Sequence, residues 1–223
     1  MISTNVFLIY VKALWKDVLH IKKVMSWVWP ILIGFAIAML VKWLLIAHVR
    51  VDGPSMLPNL QNDERVWAFK QAPLKHDRVI VFKAYGVDPQ ATDTKVMYVK
   101  RIIGMPGDTI DYHADGKLYV NGKFVSQSYI TKKQQQAGTL TALPHNGNDY
   151  KGFNLKTLSY DENWTRNAGV TKVPKDSYFV LGDNRAVSND SRYYGFVPKS
   201  KVVGVVKAYP WSEHHEQINV KWI

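Results

Sequence analysis

The sequence contains no cysteine among its 223 residues. This absence excludes disulfide bonds, thiol catalysis and cysteine-ligated zinc sites together. Acidic residues are also scarce, because 18 aspartates and glutamates stand against 29 lysines and arginines, a formal net charge of +11. A basic balance suits nucleic acid, an anionic membrane surface or an acidic substrate. The basic residues are spread along the chain and no nucleic-acid motif occurs, so a lipid membrane surface is the favoured partner.

Charged residues are missing from one long stretch near the N-terminus. Residues 24–41 carry no charged side chain, and after Lys42 the apolar composition continues to residue 48. About 25 mostly apolar residues are enough to cross a bilayer as a helix. Trp27 and Trp43 lie near the two ends, where interfacial aromatic residues occur. The sequence therefore predicts a transmembrane anchor at residues 24–48.

The residues before the anchor predict its orientation. Lysines dominate this segment, and only Asp17 opposes Lys12, Lys16, Lys22 and Lys23. The positive-inside rule then places the N-terminus in the cytoplasm and the chain after about residue 50 outside a single-pass anchor in the cell membrane. A cleaved secretory signal is the alternative. It is disfavoured because the apolar run is longer than a usual signal core and no small-x-small cleavage site follows it.

Residues 1–23 form a separate cytoplasmic segment in this interpretation. Basic residues recur in it at helical spacing with apolar residues between them, which is typical of an amphipathic helix on a membrane surface. A plain extension of the anchor helix explains the same pattern equally well, and the sequence does not decide between the two.

Residues 49–223 predict an extracytoplasmic domain that is mostly β. Short runs rich in β-branched and aromatic residues recur, and no long helical period appears after residue 50. Asp115-Gly116 and Asn121-Gly122 are tight-turn signals that predict a small meander at residues 108–126. We expect antiparallel sheets or a partly closed barrel. Residues 131–170 are polar and rich in turn formers, which indicates an insertion.

A candidate nucleophile lies just after the anchor. Ser55, in "GPSMLPNL", is flanked by two prolines, and a serine needs a nearby base to attack a carbonyl. No histidine is placed by pattern to serve. Lys100 is the alternative base, because strand alternation puts it on one face with Tyr98 and Ile102, where burial would favour the neutral amine. A solvated turn serine and an exposed strand lysine are the competing interpretations.

A third stretch, "LGDNRAVSNDSRYYGFVP", is dense in polar side chains directly after an apolar run. This density predicts a buried network of hydrogen bonds and ion pairs that holds a loop rigid. Its carboxylates have no accompanying Asp, Glu or His spacing typical of a metal site, so we expect no metal and no cofactor.

Together the stretches "GPSMLPNL", "YVKRIIGMPGD" and "LGDNRAVSNDSRYYGFVP" resemble the conserved boxes of bacterial type I signal peptidases, in the same order and after an N-terminal anchor. The short length and the single anchor resemble the smaller Gram-positive enzymes. The resemblance implies a signal peptidase fold and a membrane-bound serine endopeptidase that removes signal peptides from exported preproteins at Ala-x-Ala-like sites.

The resemblance also implies roles for individual residues. Ser55 matches the nucleophile and Lys100 the general base. Six positions match supporting residues: Ser188 orients the lysine amine, Tyr98 forms a wall beside it, Asp183, Asp190 and Arg192 brace the site through ion pairs, and Arg101 is structural. Three neighbours of the dyad are the expected substrate-binding residues: Val51, Met56 and Val99. At Gly53 some relatives carry a serine that helps to bind the oxyanion, and glycine lacks that hydroxyl.

Three other functions were weighed against this one. A membrane-anchored binding or assembly protein with an inactive domain would be expected to lose Ser55 or Lys100, and both are present. A self-cleaving repressor-type protease would carry a DNA-binding head in place of the apolar helix. A nucleic-acid binder would cluster arginines and aromatic residues on one face. Oligomeric state, the preproteins cleaved, and the role of residues 131–170 are not predicted by the sequence.

Overall fold

The computed structural model describes residues 4–140 and 152–220. The chain splits into two compact units, Met1–Leu45 and Ile46–Ile223. The first contains one helix, α1 (Thr4–Leu45), with Pro30 inside it. Within α1, the 21 residues Met25–Leu45 are long and apolar enough to cross a membrane, and their side chains are exposed.

The predicted anchor and the helix end at different residues. The anchor was predicted at residues 24–48, but α1 ends at Leu45 and Ile46 already pairs with Phe69 in a sheet. Residues 46–48 therefore belong to the second unit. The backbone of the predicted cytoplasmic segment 1–23 is helical from Thr4 on. Its side chains lie outside the described part of the chain, so its amphipathic character stays a prediction.

The described residues of the second unit form eleven strands and four short helices. The strands are β1 (Ile46–Arg50), β2 (Arg65–Phe69), β3 (Val79–Lys83), β4 (Met97–Gly104), β5 (Ile110–Tyr112), β6 (Leu118–Val120), β7 (Lys123–Val125), β8 (Phe153–Asn154), β9 (Ser177–Leu181), β10 (Val197–Pro198) and β11 (Val202–Ala208). The helices are α2 (Lys132–Leu140), α3 (Leu155–Asp161), α4 (Ser191–Tyr194) and α5 (His215–Ile218), with a 3-10 turn at Lys199–Lys201.

Two sheets result, of seven and four strands, and their strand pairings are antiparallel. The larger has the order β1-β2-β11-β3-β4-β9-β10 and the smaller β7-β6-β5-β8. The predicted fold class, mostly antiparallel β after one N-terminal apolar helix, is confirmed. The predicted meander at residues 108–126 is β5, β6 and β7, with Gly116 and Gly122 at positive φ in its turns.

The centre of the larger sheet is buried on both faces, and this explains the continuous apolar sequence of β3. In β3, Val79 and Val81 pack in one apolar cluster, while Ile80 and Phe82 pack in another. Alternate side chains point to opposite faces of a strand, so four consecutive apolar residues require cover on both sides. A third cluster lies around the smaller sheet and includes Tyr112.

Residues 131–170 are more ordered than a polar insertion suggests. They contain α2, β8 and α3, and Phe153, Leu155 and Leu158 are buried in the cluster of the smaller sheet. Helices of nine and seven residues are too short to give a clear helical period in the sequence. Residues 141–151 of the predicted insertion lie outside the described residues.

Candidate active site

Ser55 lies in a tight turn between β1 and β2. The turn is closed by backbone hydrogen bonds from Leu57 N–H to Pro54 O (3.1 Å) and from Leu60 N–H to Met56 O (3.0 Å). Gly53, at φ 83°, donates its N–H to Asn62 Oδ1 at 2.8 Å. This positive φ favours glycine at the turn's entry. The turn therefore holds a half-buried serine on a closed backbone frame.

Lys100 reaches Ser55 from β4. Its Nζ donates to Ser55 Oγ at 2.8 Å, and only 4% of the residue is exposed. The neighbours Tyr98 and Ile102 pack in the cluster that contains Phe82, whereas Val99 packs in the cluster on the opposite face. Strand alternation thus places Lys100 as the sequence predicts, beside the aromatic ring of Tyr98.

Burial is the main influence on the charge of Lys100. Loss of hydration lowers the pKa of its ammonium from 10.5 to about 8. The carboxylates of Asp190, Asp183 and Asp88 oppose this shift, and the guanidinium of Arg192 adds to it. A lysine in this environment releases its proton far more readily than a lysine in water.

An ion pair fixes β4 to the loop after β9. Arg101 Nε and Nη2 donate to the two carboxylate oxygens of Asp183 at 2.8 and 2.6 Å, and both residues are fully buried. Asn59 Nδ2 donates to the same carboxylate at 2.8 Å. A bidentate pair of this kind fixes orientation as well as distance. Arg101 therefore ties the strand of Lys100 to the polar loop and, through Asn59, to the serine turn.

A second buried pair stiffens the polar loop itself. Arg192 Nε and Nη2 donate to Asp190 at 2.8 and 2.9 Å, and Gly182 N–H donates to Asp190 Oδ2 at 3.0 Å. Arg192 Nη1 also donates to Gly138 O in α2 at 3.0 Å. The dense polar stretch is thus a buried network, as its composition predicts.

Two residues of the loop have contacts that the sequence reasoning did not single out. Asn184 donates its N–H to Ser55 O at 3.0 Å and its Nδ2 to Pro54 O at 3.1 Å. Arg185 is fully buried, with Nη1 donating to Gln127 Oε1 at 2.6 Å. The only sequence signal for either was membership of the polar stretch. Asn184 is thus a second direct link between this loop and the serine turn, beside the Asn59–Asp183 hydrogen bond.

Ser188 and Tyr98 lie at the site but make different contacts. Ser188 Oγ is buried and has no hydrogen-bond partner among the described residues. Tyr98 places its ring centroid 5.3 Å from Lys100 Nζ and donates its hydroxyl to Asp88 Oδ2 at 2.8 Å. The hydroxyl of Ser188 is therefore available to form a hydrogen bond.

The three expected substrate-binding residues lie beneath the surface. Val51, Met56 and Val99 are 1%, 0% and 6% exposed and pack in one apolar cluster. The Val51 backbone pairs with the segment just before β2: its N–H donates to Glu64 O and its carbonyl accepts from Asp63 N–H, both at 2.8 Å. The three buried side chains leave almost no surface of their own for a bound peptide.

Within residues 4–140 and 152–220, no group of three or more histidine, aspartate or glutamate side chains is placed to hold a metal ion. The site offers a serine hydroxyl that is hydrogen-bonded to a buried, easily deprotonated amine. This arrangement characterises serine hydrolases in which a lysine takes the place of histidine.

Comparison with known proteins narrows this class. The profile of the family "Signal peptidase, peptidase S26" matches residues 24–211. Signal peptidase IB of Staphylococcus aureus is 34% identical over 89% of this chain and 96% of its own length. Signal peptidase I S of Bacillus subtilis is 35% identical over 86% of this chain and 92% of its own. A crystal structure of a signal peptidase I from Enterococcus faecalis is 31% identical, with a TM-score of 0.43 over 60% of this chain and 97% of that one.

The chain therefore belongs to the signal peptidase family, peptidase S26. It is a serine endopeptidase of the signal peptidase I type, and the predicted family and enzyme class are confirmed. Its apolar N-terminal helix is consistent with the membrane anchoring of this family.

Proposed function

We propose that this membrane-bound endopeptidase removes signal peptides from exported preproteins, with Ser55 as the nucleophile and Lys100 as the general base. The observation that carries the proposal is the 2.8 Å hydrogen bond between Lys100 Nζ and Ser55 Oγ in a site where the lysine is 4% exposed. A general base must lie within hydrogen-bond reach of the proton that it takes and must be unprotonated near the working pH. The 2.8 Å distance supports the first requirement, and the lowered pKa of Lys100 supports the second.

The reaction follows from this pair. Neutral Lys100 accepts the Ser55 proton while Oγ bonds to the carbonyl carbon after the last signal-peptide residue. The Ser55 backbone N–H stabilises the oxyanion, since Gly53 has no hydroxyl to contribute. Lys100 then donates its proton to the leaving amine as the peptide bond breaks. Finally, Lys100 takes a proton from water as the water oxygen attacks the ester carbonyl. The bond between that carbon and Ser55 Oγ then breaks, Lys100 returns the proton to Oγ, and the signal peptide leaves.

The supporting residues act on the dyad through position. The unpartnered hydroxyl of Ser188 orients the lysine amine during proton transfer. The buried pairs Arg101–Asp183 and Asp190–Arg192 hold the strand and the loop that flank the amine. Because a displacement of about 1 Å can cost about a hundredfold in rate, such bracing matters for catalysis.

The substrate binds as an extended strand with alternate side chains directed toward the enzyme. Ala-x-Ala-like sites fit this mode, because the ring of Tyr98 forms a wall beside Lys100 that limits the space for a substrate side chain. Val51, Met56 and Val99 are buried in the cluster opposite Tyr98, so they offer almost no surface to this space. Larger side chains are rejected by volume. Exported preproteins are accordingly the protein partner.

The membrane topology completes the proposal. Lysines before the apolar helix favour a cytoplasmic N-terminus, so the unit from Ile46 on is extracytoplasmic. Signal peptides and α1 then share one bilayer, which raises the effective concentration of cleavage sites near the enzyme. Lipid is the second partner of the chain.

A non-catalytic binding protein is the alternative. The intact Ser55–Lys100 pair and its hydrogen bond favour the enzyme. The test is cleavage of a preprotein with an Ala-x-Ala site by the full, detergent-solubilised chain, beside Ser55→Ala and Lys100→Met. Lys95→Met, at an exposed lysine just before β4, is the matched control.

We expect the intact chain and the Lys95 control to cut after the second alanine, and the two dyad variants to be inactive. Full activity of Lys100→Met would place the base elsewhere. No cleavage by the intact chain on several such substrates would favour the binding protein.

A further inference from the structure

Asp88 is a buried carboxylate that the proposed chemistry does not use. It lies between β3 and β4 and is 3% exposed. Its described hydrogen-bond donors are neutral: Tyr98 Oη at 2.8 Å and Asn189 Nδ2 at 2.7 Å to Oδ2, and Gln90 N–H at 2.9 Å to Oδ1. Burying a carboxylate among neutral donors is unfavourable unless the hydrogen bonds are well formed. The position of this carboxylate therefore needs an explanation.

Its two side-chain donors come from the two sides of the active site. Tyr98 lies beside the Lys100 amine. Asn189 stands between Ser188 and Asp190 in the polar loop. Tyr98 and Asn189 both donate to Asp88 Oδ2. Moving either side chain away therefore stretches its hydrogen bond to this shared oxygen. The tyrosine wall and the Ser188 loop are thereby fixed relative to each other.

The segment that carries Asp88 is itself well anchored. Asp88 N–H donates to Ala84 O at 3.0 Å, and Val87 is 1% exposed within an apolar cluster. Arg166 donates to Gly86 O at 3.0 Å and to Val87 O at 2.9 Å. The carboxylate thus belongs to the rigid part of the domain, and it can impose a position on its donors.

Packing alone does not fix the tilt of the Tyr98 ring, and the hydrogen bond to Asp88 does. The Tyr98 ring lies 5.9 Å from the Phe82 ring and 6.4 Å from the Tyr194 ring, centroid to centroid. These contacts confine the body of the ring, while the hydroxyl end is held by Asp88. Without that hydrogen bond, the ring can tilt about its contacts and change the space beside Lys100.

We propose that Asp88 is a positioning residue that locks Tyr98 and the Ser188 loop together and so sets the size of the space for the substrate residue before the cleaved bond. The inference rests on the proposed roles of Ser55 and Lys100. Asp88 acts through Tyr98 and does not itself contact the substrate.

The test is selectivity, measured on the full, detergent-solubilised chain. The ratio of kcat/KM for two preproteins, one with alanine and one with valine before the cleaved bond, does not depend on how much enzyme is folded. We expect Asp88→Asn to reduce this ratio about tenfold, within the range that one or two methyl groups contribute in a pocket. Asn189→Ala, which removes the other donor, should reduce it in the same direction.

Two further variants show whether the effect runs through Tyr98. Tyr98→Phe should lower the ratio at least as much as Asp88→Asn does, and the double variant should lower it no further than Tyr98→Phe, because the first change removes the donor and the second weakens the acceptor of the same hydrogen bond. Asp93→Asn is the matched control. Asp93 is an exposed carboxylate in the same connection, and its Oδ1 accepts the N–H two residues on, from Lys95, as Asp88 Oδ1 does from Gln90. This control should keep the original ratio.

A pH profile adds a readout that general loss of structure would not produce. The groups that act on the Lys100 charge are Asp190, Arg192, Asp183 and Asp88, and the negative charge of Asp88 favours the ammonium. Asp88→Asn should therefore move the acid limb of kcat/KM to lower pH. Tyr98→Phe keeps the carboxylate and should leave the limb in place.

An unchanged ratio and an unchanged acid limb in Asp88→Asn would overturn the inference, and so would additive losses in the double variant. If the intact chain cleaves neither preprotein, the proposed function fails first and the inference falls with it. Cleavage by the intact chain with no effect of Asp88→Asn would refute the role of Asp88 alone.

Discussion

In the proposed mechanism, Lys100 combines two requirements that conflict. As the proposed base it must lose its proton near neutral pH, which its burial promotes by removing hydration from the ammonium. The same burial makes the folded protein less stable whenever the lysine is protonated. A lysine whose pKa is lower in the folded than in the unfolded protein reduces the free energy of unfolding at pH values below its unfolded pKa.

Replacing Lys100 should therefore stabilise the protein. The folded pKa is about 8 and the ordinary value is 10.5, so below pH 8 both states hold the proton and the folded state bears the full cost. That difference corresponds to about 3 kcal/mol. Between pH 8 and 10.5 the unfolded state binds more protons and the cost is relieved as pH rises. We expect Lys100→Met to be more stable than the intact chain at pH 7 and the gap to narrow by pH 10, measured by denaturant unfolding.

Lys95→Met should show no such gap, since Lys95 is exposed. A Lys100→Met variant that is less stable at pH 7 would mean that the hydrogen bond to Ser55 outweighs the cost of burial.

The pH dependence of cleavage follows from the same pKa. We expect kcat/KM to rise with pH up to a limb near 8, because the free enzyme must carry a neutral Lys100 to accept the Ser55 proton. Initial rates at low substrate concentration across pH 6 to 10 would measure the limb (about four pH units around the lysine pKa). A flat profile over this range would contradict a lysine base.

Individual residues differ in how far the sequence predicted them. Ser55 and Lys100 followed from their motifs, and strand alternation placed Lys100 correctly with Tyr98. Asn184 and Asp88 did not follow, because their partners are distant in the chain: Asn184 contacts Pro54 across 130 positions and Asp88 contacts Asn189 across 101. Local pattern carries no information on which distant loops meet.

At the scale of elements, the loop after β9 depends on a glycine at its start. A Cβ at Gly182 would lie 2.5 Å from both Ser188 Cβ and Ser55 O, and it would also overlap Ser188 Oγ. The Ser55 backbone and the short Ser188 side chain cannot both move away from such a Cβ without displacing the serine turn or the loop. Gly182 thus permits the close approach of the two elements that meet at the dyad.

Gly182→Ala should consequently lose activity by about a hundredfold, as displacement of a reacting group by about 1 Å predicts. Preprotein cleavage at equal enzyme concentration measures this. Gly34→Ala, in α1, is the control, because a Cβ there meets nothing within 4 Å. Near-normal cleavage by Gly182→Ala would show that the loop can move without disturbing Ser55.

The small helix α3 depends on its N-cap. Asn154 Oδ1 accepts from Thr157 N–H at 3.0 Å, and Thr157 Oγ1 accepts from Asn154 N–H at 3.0 Å, which forms a capping box. We expect Asn154→Ala to lower the free energy of unfolding by about 1 kcal/mol, measured by denaturant unfolding, with cleavage unaffected. A loss of cleavage without a loss of stability would instead connect residues 131–170 to the reaction.

The sequence predicted strands better than it predicted these helices. The strands β3, β4, β9 and β11 of the large sheet are marked by apolar and β-branched residues, so composition suffices for them, whereas residues 46–48 of β1 fall in the predicted anchor. In α3 only Leu155 and Leu158 indicate the buried side. Two apolar positions are compatible with a loop, and tertiary packing against the smaller sheet decides the structure.

For the whole molecule, the division at residue 46 separates anchoring from chemistry. The dyad and its braces all lie in the unit Ile46–Ile223, which has its own buried clusters. Residues 46–223 alone should therefore fold and cleave a short soluble peptide at the rate of the intact chain.

Against a preprotein in vesicles, however, the shortened chain should be about a hundredfold less efficient, because it loses the shared bilayer. The ratio of the two activities, measured for both forms, is the test. Equal efficiency of both forms in vesicles would mean that α1 contributes nothing to the encounter between the enzyme and the preprotein.

The position of β11 determines when, during synthesis, the large sheet can form. This strand, Val202–Ala208, lies between β2 and β3 in the seven-stranded sheet. The part that carries Ser55 and the part that carries Lys100 are thus joined in the sheet through a strand that follows both in the chain. A nascent chain lacks that joint until β11 has left the ribosome, and a stop codon before β11 would remove it. We therefore expect the protease to remain inactive until β11 has been synthesised.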